Sequence, residues 1–271
     1  MTRRWFPPAA PPGRAIPRWL LLGLVAGVLP PGGLAAQRFG NGANGEAALY
    51  APPNPPYDGR FTYARIRFTQ TCCVQAGQYW DVKWGHDYPK SDTHFPRILR
   101  ELTTMRVRTE VSAILTLDDP QLFKFPFAYL CEPGFWQPSD KEVAGLRSYL
   151  LKGGFLLVDD FAGAHWYNFE TQMRRVLPEA RLIPLTADHP IFDSFYRIPS
   201  LDFTHPYYGV KAEFYGIFED NDPKKRMMAI VNYNNDVSEY WEFSDTGLFP
   251  IDLSNEAYKL GVNYVIYSMS R

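Results

Sequence analysis

Gly153-Gly154-Phe155-Leu156-Leu157-Val158-Asp159-Asp160-Phe161-Ala162-Gly163-Ala164-His165-Trp166 decides the fold. Phe155 to Val158 is a short, unbroken apolar run behind a glycine pair. That pattern reads as a strand buried on both faces, the usual state in a parallel sheet. The segment before it reads as a helix. Ser139-Asp140-Lys141-Glu142 fits a capping box, in which the Ser139 hydroxyl and Glu142 carboxylate each satisfy a free N–H group. Val143, Leu146 and Leu150 share one helical face, and Gly153 suits a left-handed cap. Two acids end the strand. Ligands of open α/β sheets sit beyond the carboxyl ends of strands, so Asp159 and Asp160 are where chemistry is expected. The plainer alternative makes one Asp the cap of the next helix and leaves the other in solvent.

Outward from this stretch the same alternation repeats. Phe61 to Thr69 reads as a first strand, and Asp92 or Thr93 caps a helix reaching about Arg106, with Pro96 in its first turn. A weaker strand lies near Glu110 to Leu117. Phe127 to Cys131 is another buried strand, ending in Glu132-Pro133-Gly134. His165 to Leu177 is a helix stopped by Pro178. Arg181 to Leu185 is a strand that Pro184 confines to an edge. Pro199 to Glu213 reads as an aromatic loop, Met227 to Tyr233 as a strand closing in Asn234-Asn235-Asp236, and Ser254 as the cap of a last helix. The sum is an α/β domain, a mostly parallel sheet with helices on both faces.

The first 36 residues have the layout of an export signal: Arg3, Arg4, Arg14 and Arg18, then the apolar run Trp19 to Leu29, then Leu34-Ala35-Ala36 before Gln37. The run is shorter than the ~20 residues that span a bilayer. Thr2-Arg3-Arg4-Trp5-Phe6 also resembles a twin-arginine motif, so the export route stays open. The expectation is a periplasmic or secreted protein, touching the membrane only through an uncleaved leader. Removing the leader leaves 24 basic and 29 acidic residues, a net charge of −5. No clustered basic face suggests nucleic acid. Residues 37–60, rich in Gly, Asn and Pro, read as a flexible linker, and 61–271 as one domain. Of Cys72, Cys73 and Cys131, either one of the first two pairs with Cys131 or all three are buried thiols.

The sequence holds no P-loop, GxGxxG, HExxH or GxSxG, and it names no cofactor. What remains is the rim. Asp159, Asp160 and His165 are the candidate catalytic groups, and Asp87, Glu132, Trp166, His189 and Asp236 the candidate ligand contacts. No set has the spacing of a known metal motif, so no metal ligands are assigned, although acids this close need a cation, donors or protons. Asp159 is expected beside a pocket and Val158 in the core. Trp80, Trp84 and their neighbours read either as a ligand wall or as cover for the sheet edge.

Phe125 to Leu130, Leu146 to Leu150, Gly153 to Phe161 and Asp188-His189-Pro190-Ile191-Phe192 together resemble the bacterial family called domain of unknown function 4159, over roughly Phe61 to Met269. The resemblance implies a flavodoxin-like fold similar to class I glutamine amidotransferases and ThuA-type proteins. Amidotransferases carry a nucleophilic Cys on a tight strand-to-helix turn. The matching turn here, Val158-Asp159-Asp160-Phe161, has none, which argues against a thiolate mechanism. Two readings follow. One is a binding or assembly module of the cell envelope that takes a small polar or sugar-like ligand, or an envelope protein. The other is a hydrolase working through Asp159, Asp160 and His165.

Overall fold

The computed structural model describes residues 46–75, 78–79 and 81–270. The leader, residues 37–45 and Trp80 lie outside them. Seven strands form the main sheet: β1 (Ala64–Ile66), β4 (Ala113–Leu115), β5 (Phe127–Cys131), β6 (Phe155–Asp159), β7 (Ile183–Pro184), β8 (Glu213–Phe218) and β9 (Met227–Tyr233). β2 (Val74–Gln75) and β3 (Gln78–Tyr79) pair separately in the loop after β1. The order is β4-β1-β5-β6-β9-β8-β7. β4, β1, β5, β6 and β9 are parallel. Renumbered in chain order, these five run 2-1-3-4-5, the flavodoxin-like arrangement. β8 and then β7 add antiparallel pairs on the β9 side.

Both faces are covered. Ala128, Leu130, Leu156 and Val158 face α2 (Asp140–Leu151) and α3 (His165–Val176), while Phe127, Tyr129, Phe155 and Leu157 face α1 (Ser91–Leu102), α4 (Val237–Glu242) and α5 (Ile251–Ser270). Alternate residues of one strand thus feed two cores, which is why the central strands read as unbroken apolar runs. The capping box at Ser139 and Glu142 forms, and Gly153 has φ of +109°.

Several local expectations differ from the structure. α1 begins at Ser91, without a side-chain cap, because Asp92 is drawn inward to Arg65; Pro96 consequently lies in the second turn. β8 begins at the last residue of the stretch read as loop and occupies residues to which no element was assigned. Gly216 interrupts its alternation, yet Phe214, Ile217 and Phe218 are buried by pairing with β9. α4 leaves no periodic pattern in the sequence, being only six residues long. α5 starts at Ile251, before Ser254, which is buried in its first turn rather than capping it. Glu46 onward is no free linker: Ala48 is buried, and the Asn54 amide both donates to Ile114 O and accepts from Ile114 N, at 2.7 Å each, closing the β4 edge.

Candidate functional site

The carboxyl ends of β5, β6 and β9 converge with the loop that runs from β1 to α1. Arg65 sets that loop. Its guanidinium is fully buried and donates to the Asp92 carboxylate, to Ser91 Oγ at 3.1 Å, and to the carbonyls of Trp84 and His86 at 3.1 and 2.9 Å. A planar five-donor fork can hold so many acceptors at once. The loop is thereby pinned with His86 and Asp87 against the strand ends.

Three of the acids there sit on left-handed backbone: Asp87, Glu132 and Asp160, with φ of +63°, +47° and +58°. Non-glycine residues rarely adopt that region, and such strain concentrates at functional sites. Asp tolerates it through local hydrogen bonding, whereas Glu does so less readily.

One half of the cluster is held by ion pairs. His86 Nε2 lies 2.6 Å from Asp81 Oδ1, and His86 Nδ1 lies 3.2 Å from Glu132 Oε1 and 3.8 Å from Asp160 Oδ2. Lys83 Nζ lies 2.9 Å from Asp81 and 3.3 Å from Glu132. Burial works against the His86 charge, but hydrogen bonds to Asp160, Asp81 and Glu132 outweigh it and hold the imidazole well above its usual range. Burial likewise opposes ionisation of Asp81, yet His86 and Lys83 bring its carboxyl down to about 2. Asp160 is also lowered: the His86 hydrogen bond and charge overcome its burial.

The other half is crowded with carboxylates. Asp236 caps α4, accepting from Glu239 N at 3.0 Å; Ser238 Oγ donates to Asp87 Oδ2 at 2.6 Å. Burial and the charges of Asp160, Asp87 and Asp159 push the Asp236 carboxyl well up. Burial, then the neighbouring Asp160 charge, raises Asp87; burial, then Asp87, raises Glu239 and takes Glu242 to about 8.

The candidate residues separate accordingly. Asp160, Glu132, Asp87 and Asp236 are brought together. Asp159 is fully buried, accepting from Asn232 Nδ2 at 3.0 Å, Val237 N at 2.8 Å and Ser238 N at 3.2 Å. It anchors the start of α4, and burial pushes it up to about 7. His165 opens α3 with its ring edge-on to Phe135, the centroids 4.6 Å apart. A Cβ on Gly134 would come within 2.4 Å of the His165 side chain, so glycine permits that approach. The histidine among the acids is His86. Trp166 belongs to an aromatic group with Tyr215, Tyr233 and Phe169. His189 packs on Phe218 and Tyr267. Phe218 pairs with Met227 at the start of β9, which puts His189 at the opposite end of the sheet.

Sequence reasoning did not select Lys83, His86, Glu239 or Glu242. Glu239 and Glu242 carry one signal, a spacing of three on a helix, which puts both on one face. Neither cysteine alternative is realised: Cys72 and Cys73 are bonded to each other, and Cys131 is a buried thiol donating to Asp160 Oδ2 at 3.3 Å. Burial and then the Asp160 charge hold the Cys131 thiol well above its ordinary range, so it is a poor source of thiolate.

Beside the acids lies a cavity of about 890 Å³. Phe203, Tyr207, Tyr240 and Phe249 supply aromatic wall, with His205 and Asn235 among them. Burial pushes His205 down to about 4 against the pull of Asp160. Its Nδ1 accepts from Tyr207 N at 3.2 Å, so the neutral ring carries its proton on Nε2. Two buried polar atoms of the wall residues, Asn235 Nδ2 and Tyr207 Oη, have no hydrogen-bond partner among the described residues.

Three groups of side chains have ligand atoms close enough to surround a metal ion: His86 with Glu132 and Asp160, Asp87 with Cys131 and Asp160, and Asp87 with Glu239 and Glu242. The first is filled by its own ion pairs, and the second holds a protonated thiol.

No curated protein matches the chain at a significant level. The family model described as domain of unknown function (DUF4159) matches residues 71–269, most of the chain and nearly all of the folded domain. The chain therefore belongs to the DUF4159 family.

Proposed function

We propose that the protein is an exported binding module that takes a small polyhydroxylated, sugar-like ligand in the cavity beside the acidic rim. One observation carries the reading: the cavity wall combines aromatic faces with two buried polar groups, Asn235 Nδ2 and Tyr207 Oη, that lack partners. Buried polar groups are almost always satisfied, and a hydroxyl-rich ligand would satisfy both. Aromatic faces suit the apolar side of a sugar ring. Export rests on the leader pattern, and the Cys72–Cys73 disulfide is compatible with an oxidising compartment. Among the described residues no helix is long and apolar enough to cross a membrane.

The test is thermal melting of the mature domain with neutral and amino monosaccharides. A binding sugar raises the melting temperature by mass action, and Asn235→Ala together with Tyr240→Ala abolishes the rise. If no sugar moves the melt, the reading fails. N-terminal sequencing of protein from the cell envelope tests export; the account expects a start near Gln37, and a start at Met1 contradicts cleavage.

A hydrolase is the second reading. Asp160 favours it, as a carboxylate with lowered pKa on a left-handed turn within reach of His86. In that case His86 takes the place expected for His165. Turnover of chromogenic esters or glycosides that Asp160→Asn eliminates would select this reading over the first.

A further inference from the structure

We infer that Asp87, Glu239 and Glu242 form a binding site for one hard divalent cation, held between the α1 loop and α4 and independent of whatever fills the cavity. Three features carry this. The geometry is right: one carboxylate oxygen from each residue lies within 4.8 Å of the others. Two oxygens on opposite sides of a Ca²⁺ ion are about 4.8 Å apart at ordinary bond lengths, and Mn²⁺ or Mg²⁺ draws them slightly closer. The donors are right: three carboxylates and no sulfur or nitrogen make a hard-oxygen site, suited to Ca²⁺, Mg²⁺ or Mn²⁺.

The third feature separates this trio from an ordinary acidic patch. Glu239 is fully buried, and neither of its carboxylate oxygens has a hydrogen-bond partner among the described residues; the same is true of Asp87 Oδ1. One oxygen of each residue faces the other two carboxylates across the trio. Carboxylates satisfy each other only through a shared proton or a cation. The nearby cations all have ion pairs outside the trio, although the charge of Lys90 also reaches Glu242. Arg65 is bonded to Asp92, His86 stands among Asp81, Glu132 and Asp160, and Lys90 Nζ reaches out to Asp245 at 3.4 Å. The fold has also fixed the ligands in advance. Asp87 is set on left-handed backbone with its second oxygen held by Ser238, and the α4 start is held by Asp159 and Asp236.

The alternative occupant is a set of protons, and melting experiments distinguish the two. Full-length mature protein is stripped with chelator, dialysed at pH 7.5, and melted with Ca²⁺, Mn²⁺ or Mg²⁺ alone, without any sugar. The site predicts a rise of about 5 °C or more for at least one of these ions at a hundredfold excess over its Kd. Glu239→Gln and Glu242→Gln should each abolish most of that rise. Glu239→Gln should also melt no lower than the wild type in the metal-free state, because it removes a repelling charge while keeping the side-chain volume. That second measurement shows that a lost response is not lost folding. The proposal is overturned if no ion moves the wild-type melt, or if both variants respond as the wild type does. Neither outcome bears on the sugar-binding reading, which is probed with sugars and with cavity-wall variants.

Discussion

Two acidic clusters lie side by side at the carboxyl rim, and the fold treats them oppositely. In the outer one, Asp81, Glu132 and Asp160 surround two cations of the protein's own, Lys83 and His86. In the inner one, Asp87, Asp236 and Glu239 are buried with other carboxylates among their nearest charged neighbours. Both clusters contain strained backbone and both are packed behind the same strands. The difference is compensation: Asp81 and Asp160 in the outer cluster are pulled down, and the inner acids are pushed up. An acidic rim is therefore no single feature. One part is an ion-pair network that holds the loop, and the other is the group of raised acids proposed above to take a cation.

The largest effect should come from the compensated side. Arg65→Met would leave the Asp92 carboxylate buried without its partner, at a cost of about 3–5 kcal/mol in urea unfolding. A loss below about 1 kcal/mol would mean that the loop is held by something other than this pair. Next comes a contrast in sign. His86→Gln removes the cation from among Asp81, Glu132 and Asp160 and should cost about 2–3 kcal/mol, whereas Glu239→Gln in metal-stripped protein should cost nothing or gain about 1 kcal/mol. Equal losses in the two variants would erase the distinction.

The pH dependence follows from the same contrast. Asp159 is raised from 3.8 to about 7, so its share of stability is full below about pH 4 and is lost as pH rises through 7. Asp81 is lowered to about 2, so its share is present above about pH 4 and is lost as pH falls towards 2. Metal-stripped protein should therefore melt progressively lower from pH 5 to pH 8, and Asp159→Asn should make that limb shallower, the remainder coming from the raised inner acids, while leaving the acid limb in place. The smallest effect belongs to a pair that water already compensates. Lys211, 3.1 Å from Asp202 and exposed, should change stability by about 0.5 kcal/mol or less when replaced by Ala.

The sequence made the central layer legible because burial on both faces leaves a strong trace. Phe127 to Cys131 and Phe155 to Val158 are apolar runs, and the Ser139 capping box is a local rule that tertiary structure had no reason to override. β8 was less legible, since its strand character comes from pairing with β9 and Gly216 breaks the pattern. The site was half legible. Strand-end logic finds Glu132, Asp160 and Asp236. It also selected Asp159 and His165, but a strand-end position does not say which way a side chain turns. Asp159 turns inward to the α4 amides, and His165 turns onto Phe135. His86, Glu239 and Glu242 arrive through a long loop and a six-residue helix, whose placement depends on Arg65 and Asp159 rather than on local pattern.

The difference between the two clusters can be observed directly by anomalous diffraction at the manganese edge, from crystals of the mature protein grown with Mn²⁺. The account predicts one peak bounded by Asp87, Glu239 and Glu242, and none between His86, Glu132 and Asp160. A peak at the His86 cluster, or no peak at either, would contradict it.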